Sequence, residues 1–262
     1  MSTNNRTGRK RDYVGVLSSV FAIVIGLLVG FVILLICNPS QALPGFVTIL
    51  TGAFTHGLKG VGQVFYYATP IILTGLSVGF AFKTGLFNIG TPGQFIVGAF
   101  AAVYVGIMWT GLGRIQWAVA LLAAILGGAL WGIVPGFLKA CFNVNEVIAS
   151  IMMNYIGMYM VNWIVKSYKP LFNNLRNESR NVAATAQIPK MGMDKLFPES
   201  SVGGGILLAI AAVLLIWVIL NKTTFGYELK AVGFNRDASR YAGINEKRNI
   251  IMSMVIAGAI AG

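Results

Sequence analysis

Residues 83–95, KTGLFNIGTPGQF, set a lysine, an asparagine, a glutamine and a proline among three glycines, between the apolar runs 65–82 and 95–111. Gly85, Gly90 and the Pro92-Gly93 pair interrupt any helix. Asn88 and Gln94 carry amides that both donate and accept. Amides so placed serve either backbone groups released by a broken helix or the polar groups of a solute. Non-helical backbone at membrane depth is tolerated only where protein or a water-filled path satisfies it. A plain turn outside the membrane is the alternative.

A second polar patch, KACFNVNEVIASIMMNYI (139–156), places Glu146 at a helix boundary and Asn154 within an apolar run. A neutral amide there should face protein or a solute path rather than acyl chains. The third patch, NKTTFGYELKAVGFNRDASRYAGINEKRN (221–249), carries both signs of charge and Gly226, Gly233 and Gly243. Asn235 can cap a short helix reaching about Tyr241, with Asp237 favourable near its start and Gly243 after its end. Arg236 and Arg240 then share a face. Such a helix suits docking onto another protein, and equally a solvated surface.

Catalytic chemistry has little material. His56 is the only histidine, and Cys37 and Cys141 lack companions at metal-ligand spacing. The nearest approach to a phosphate loop, GAFTHG (52–57), is followed by Leu58 instead of lysine. No catalytic, metal or cofactor residue is therefore expected. The centres of the apolar runs lack Asp, Glu, Lys and Arg, whereas proton-driven carriers usually keep an ionisable group there. Uphill transport would then draw its energy from a partner. Sodium-coupled carriers manage with neutral ligands, so a stand-alone carrier or channel remains the competing reading.

The elements that must hold these residues are membrane helices. Of 262 residues 56% are hydrophobic and only 11% charged, against about 25% charged in soluble domains. Runs of roughly 20 apolar residues cross the bilayer core, and we expect an all-α polytopic bundle with seven spans. These lie near 13–37, 63–82, 94–111, 115–138, 146–165 and 203–221, with one starting near Ile250. The connection 38–62 is expected to hold an interfacial or re-entrant segment. The segment 166–202 is expected to be a loop with at most a short helix. Gly128, Gly132 and Gly136, with Gly26/Gly30, Gly75/Gly79 and Gly258/Gly262, have the spacing that lets helix backbones approach closely.

The net charge of +12 follows from basic residues flanking spans and from few acids, so nucleic acid is not an expected partner. Arg6, Arg9, Lys10 and Arg11 beside the first run place the N-terminus inside. That run exceeds the roughly 7–15 residues of a signal h-region, so it is read as a retained helix. Cys37 and Cys141 then fall on opposite faces, which argues against a disulfide. The last run reaches only Gly262, and a C-terminal truncation is expected.

GLFNIGTPGQFIVGA (85–99), NEVIASIMMNYI (145–156) and GYELKAVGFNRDASRYAGI (226–244) together resemble, in order and separation, ABC-importer permeases of the sugar/nucleoside and branched-chain amino-acid group. The spellings look most like permeases serving basic-membrane-protein-type lipoprotein receptors for nucleosides. The resemblance implies a single permease domain with about eight to ten spans when complete. It also implies a second permease subunit, two cytoplasmic ATPases that bind the ATP, and an external solute-binding lipoprotein at a bacterial inner membrane. It makes 166–202 an external loop and 222–249 a cytoplasmic coupling loop, with Gly233, Asn235, Arg236, Asp237, Arg240 and Gly243 at the ATPase. Asn88, Gln94, Glu146, Asn154, Phe87 and Tyr155 become candidates for the solute path. Neutral amides near aromatic rings, with no fixed charge at mid-membrane, favour nucleosides over amino acids, and simple sugars stand as the alternative cargo.

Overall fold

The computed structural model describes residues 7–262, with side chains from Gly15 onward. Of the basic cluster used for orientation, Arg6 lies outside the described residues, and Arg9, Lys10 and Arg11 lie outside the described side chains. The chain divides between Val61 and Gly62 into two compact units.

In the first unit, helix α1 (Thr7–Cys37) is followed by α2 (Pro39–Thr55). In lipid the uncharged run of α1 satisfies its backbone only by being helical. Asn38 separates the two helices, and Pro39 opens α2, where a missing N–H costs no bond. The rings of Phe31 and Phe46, 4.9 Å apart, join them. The connection 38–62 is thus mostly helix. Its prolines sit at the start of α2 and inside it.

Helix α3 (Gly57–Phe82) leads into the second unit, followed by α4 (Thr91–Met108), α5 (Gln116–Phe142) and α6 (Glu146–Ser167). The polar segment beyond α6 is irregular. It holds a two-residue hairpin of β1 (Phe172–Asn173) and β2 (Glu178–Ser179), with Phe172 opposite Ser179, and a single helical turn, α7 (Met193–Leu196). Then come α8 (Gly205–Lys222), α9 (Thr224–Phe234), α10 (Arg236–Tyr241) and α11 (Glu246–Ala261).

Among the described residues six helices are long and apolar enough to cross a membrane. They correspond to the first six expected spans. The seventh is α11, which begins four residues before Ile250 and has 16 residues.

Helix α5 shows how the bundle closes. Gly128, Gly132 and Gly136 face α11, and the carbonyls of Gly258 and Met254 occupy the places where side chains on Gly128 and Gly132 would stand. Leu122, Leu126 and Leu130 lie exposed elsewhere on the same helix, as a lipid-facing surface requires. Gly26/Gly30 and Gly75/Gly79 have nothing within 4 Å of where a Cβ would stand, so spacing alone did not identify which pairs are packed. Buried Phe80, Leu86, Leu229, Val232, Ile250 and Met254 form a core where α3, α9 and α11 meet.

At the other end of this unit a buried glutamine fastens the long loop. Gln116 Nε2 donates to the Val105 and Gly106 carbonyls at 3.2 and 3.1 Å, and its Oε1 accepts from Thr185 Oγ1. Ala183 N adds a bond to the Gly106 carbonyl at 3.0 Å.

Candidate functional site

Helix α3 ends in a glycine turn. Gly85 adopts φ +70°, a left-handed conformation that favours glycine. Leu86 N reaches back to the Ala81 carbonyl at 3.2 Å. The chain then runs without helix until Thr91. Asn88 and Gln94 are each 1% exposed and pair with each other, Asn88 Nδ2 donating to Gln94 Oε1 at 3.0 Å. Asn88 Oδ1 also accepts from Gly90 N at 3.1 Å.

Asn154 spans the same break from α6. Its Nδ2 donates to the Ile89 carbonyl at 2.9 Å and its Oδ1 accepts from Gly93 N at 2.9 Å. Asn154 stands eight residues past the start of α6, about 12 Å at 1.5 Å per residue. The break therefore packs against α6 two turns past that helix's start, inside the bundle.

Asn88 and Phe87 line a cavity of about 500 Å³ together with Ile71, Thr74, Thr91 and Phe95. Its wall is apolar and aromatic, with two hydroxyls and one amide and no charge. Gln94 lies behind the wall toward α5, close to Gly132, and braces Asn88. Glu146 and Tyr155 are placed apart from this group. Glu146 pairs with Lys139 at 2.8 Å across the corner between α5 and α6, and Tyr155 is exposed.

Ser150, one turn before Asn154, was not singled out from sequence. It is fully buried beside Gly90 and its Oγ has no hydrogen-bond partner. Its spacing of four from Asn154 was the available signal, because it puts both residues on one face of α6.

The segment 222–249 is organised by side-chain caps. Thr223 Oγ1 accepts from Gly226 N to start α9, Asn235 Oδ1 accepts from Ala238 N at 3.0 Å to start α10, and Asn245 Oδ1 accepts from Arg248 N to start α11. Gly243, at φ +81°, ends α10, and Ile244 N closes back on the Ser239 carbonyl at 3.0 Å. The short helix from Asn235 to Gly243 thus has the bounds expected from sequence.

Arg236 is half-buried, while Asp237 and Arg240 are exposed. Phe234 and Tyr241, which were not singled out, flank α10 at 91% and 94% exposure. Between α9 and α10 runs a groove of about 560 Å³ lined by Tyr227, Glu228, Ala231, Phe234 and Ala238. Buried Asn249 donates to Glu228 at 3.0 Å and orients that carboxylate. Gly233 rests on the backbone of Lys83 to Gly85, which puts this segment at the same end of the unit as the turn after α3.

A family model described as "Branched-chain amino acid transport system / permease component" matches residues 60–262. The guanosine ABC transporter permease protein NupP of Bacillus subtilis is 42% identical over 243 residues, covering 93% of this chain and 68% of that protein. The nucleoside ABC transporter permease protein NupB of Lactococcus lactis is 35% identical over 265 residues, covering 99% of this chain and 70% of its own length. The glucose ABC transporter permease protein TsgB13 of Haloferax volcanii is 31% identical over 223 residues, covering 82% and 57%. No solved structure matches the chain.

Proposed function

From the premise that this chain belongs to the branched-chain amino acid transport system / permease component family, and so is a multi-pass permease component of an ABC importer, we propose that its cargo is a nucleoside. ATPase and binding-protein partners follow from the family. The finer assembly belongs to the proposal: two permease subunits, alike or different, two ATPases that hold the ATP, and an external lipoprotein receptor.

The observation that carries the cargo is the uncharged cavity at the helix break. Phe87 and Phe95 offer aromatic surface and Thr74 and Thr91 hydroxyls, with the buried Asn88 amide, already bonded to Gln94 and Gly90, behind them. Its volume lies in the range of small-molecule sites, roughly 300–1,000 Å³. A base finds stacking partners there, worth about 1–3 kcal/mol in comparable settings, and a ribose finds neutral hydrogen-bonding groups. The ammonium and carboxylate of an amino acid would find no countercharge. The names of the Bacillus and Lactococcus relatives support the same reading, and that of the Haloferax relative supports a simple sugar as the second.

We further propose that 222–249 faces the cytoplasm and docks on the ATPase, and that 166–202 faces outward. The exposed Phe234 and Tyr241 beside Arg240 give α10 an aromatic as well as a basic docking face. Phe87 is assigned to the solute path directly, and Asn88, Gln94 and Asn154 to the polar layer that holds its wall. Glu146 is assigned to the inner corner between α5 and α6.

Reconstitution of the full complex with its receptor tests the cargo. Labelled guanosine or adenosine uptake should be competed by other nucleosides and not by ribose or leucine. Competition by ribose alone would transfer the assignment to sugars.

A further inference from the structure

Where α9 meets the turn after α3, backbone lies directly on backbone. A Cβ on Gly233 would overlap the Lys83 carbonyl and stand 3.1 Å from Gly85 N, and a Cβ on Gly85 would stand 3.2 Å from the Gly233 carbonyl. Side chains between helices absorb small displacements by changing rotamer, whereas planar peptide units have no such freedom. Gly233 sits two residues before Asn235, the cap of α10. The end of α9, the start of α10 and residues 83–85 therefore form one stiff junction.

From Gly85 the cavity is two residues away. Leu86 is fully buried, Phe87 and Asn88 are in the wall, and no flexible spacer intervenes. The same stretch is held from the other side by α11. Thr84 Oγ1 donates to Ser253 Oγ at 2.8 Å and Ser77 Oγ donates to the Ala257 carbonyl at 2.6 Å. A displacement of α9 cannot be taken up at the contact, so it carries residues 83–88 with it, and the Asn249–Glu228 bond between α11 and α9 has to yield in the same movement. The orphaned Ser150 hydroxyl beside Gly90 offers a shifted segment a hydrogen bond that the present arrangement lacks.

We infer that Gly85 and Gly233 form a positioning contact through which the ATPase-facing helices α9 and α10 set the placement of Asn88 and the cavity wall. The inference rests on the permease reading and names the residues by which the outer and inner parts of that reading are joined. Neither glycine meets the solute, and both act through Asn88.

Gly233→Ala in the reconstituted importer is the direct test. The complex should assemble and hydrolyse ATP, while nucleoside transported per ATP falls roughly tenfold or more, in the range of measured coupling effects. Gly79→Ala is the control, since a Cβ there meets nothing within 4 Å, and it should leave that ratio unchanged. In a chain with Cys37 and Cys141 replaced by serine, spin labels at positions 87 and 155 should report a distance change on ATP binding. Gly233→Ala should abolish that change, which a loss of stability alone does not do.

A second variant serves where Gly233→Ala does not assemble. Thr84→Cys with Ser253→Cys, oxidised after assembly, should stop uptake reversibly while ATP still binds. An unaltered transport ratio, a persisting distance change in Gly233→Ala, or uptake unaffected by the Thr84–Ser253 cross-link would each overturn the inference. Failure of the parent chain to bind an ATPase would instead overturn the permease docking on which it rests.

Discussion

Asn154 is the residue by which α6 holds the break, because its amide satisfies both the Ile89 carbonyl in the break and the Gly93 N–H in the first turn of α4. Asn154→Leu would leave the Ile89 carbonyl and the Gly93 N–H without partners, and each orphaned buried group costs about 1–3 kcal/mol. The variant should melt several degrees lower in detergent and lose most uptake. Asn154→Asp keeps the acceptor for Gly93 N–H and loses the donor, so it should fall between. Parent-like melting and uptake in Asn154→Leu would refute the bracing role. The amide was legible in the sequence because an apolar helix has no other use for it. Its partners, 61 and 65 residues away in the chain, were not, since residue types do not encode how α6 is registered against the break. Glu146 shows the converse: its charge was conspicuous, but the nearby Lys139 satisfies it.

At the scale of elements, α10 has six residues, too few to be stable without help. Asn235→Ala removes its cap, at a cost of about 1 kcal/mol, and should unravel it without disturbing the membrane helices. Hydrogen exchange at 236–241 should rise at least several-fold, and the amount of ATPase recovered with the permease should fall. Exchange that stays slow would show that α9 and α11, not the cap, hold the turn in place. This helix was readable in advance because its start and stop are local signals. The helical character of 38–62 was not, because prolines at the start of a helix and inside it spell the same as prolines in irregular chain. The hairpin at 172–179 was likewise hidden, as two residues per strand carry no period.

For the molecule as a whole, composition alone announced a membrane bundle, and the count of spans differs only in the status of α11. Sidedness is the property to test. Cys37 near the end of α1 and Cys141 near the end of α5 are both exposed thiols. With the N-terminus inside, α1 carries Cys37 to the outer face, and α3, α4 and α5 return Cys141 to the inner one, α2 remaining outside. A membrane-impermeant thiol reagent should label Cys37 in intact cells and Cys141 in inverted vesicles. Labelling of both from one side would mean that α2 also crosses, and labelling with the two sides exchanged would mean that the charge bias was misread.

The glycine face of α5 has a consequence for biosynthesis. Its partner Gly258 leaves the ribosome about 130 residues after Gly128, which at roughly 5–20 residues per second is of the order of ten seconds. Through that interval α5 waits in the bilayer with its smallest residues turned toward lipid. A nascent chain halted before α11 would expose an unfilled seam, and a membrane-embedded protease or insertase that recognises thin, glycine-lined helix faces would have a clear mark by which to tell it from a finished one.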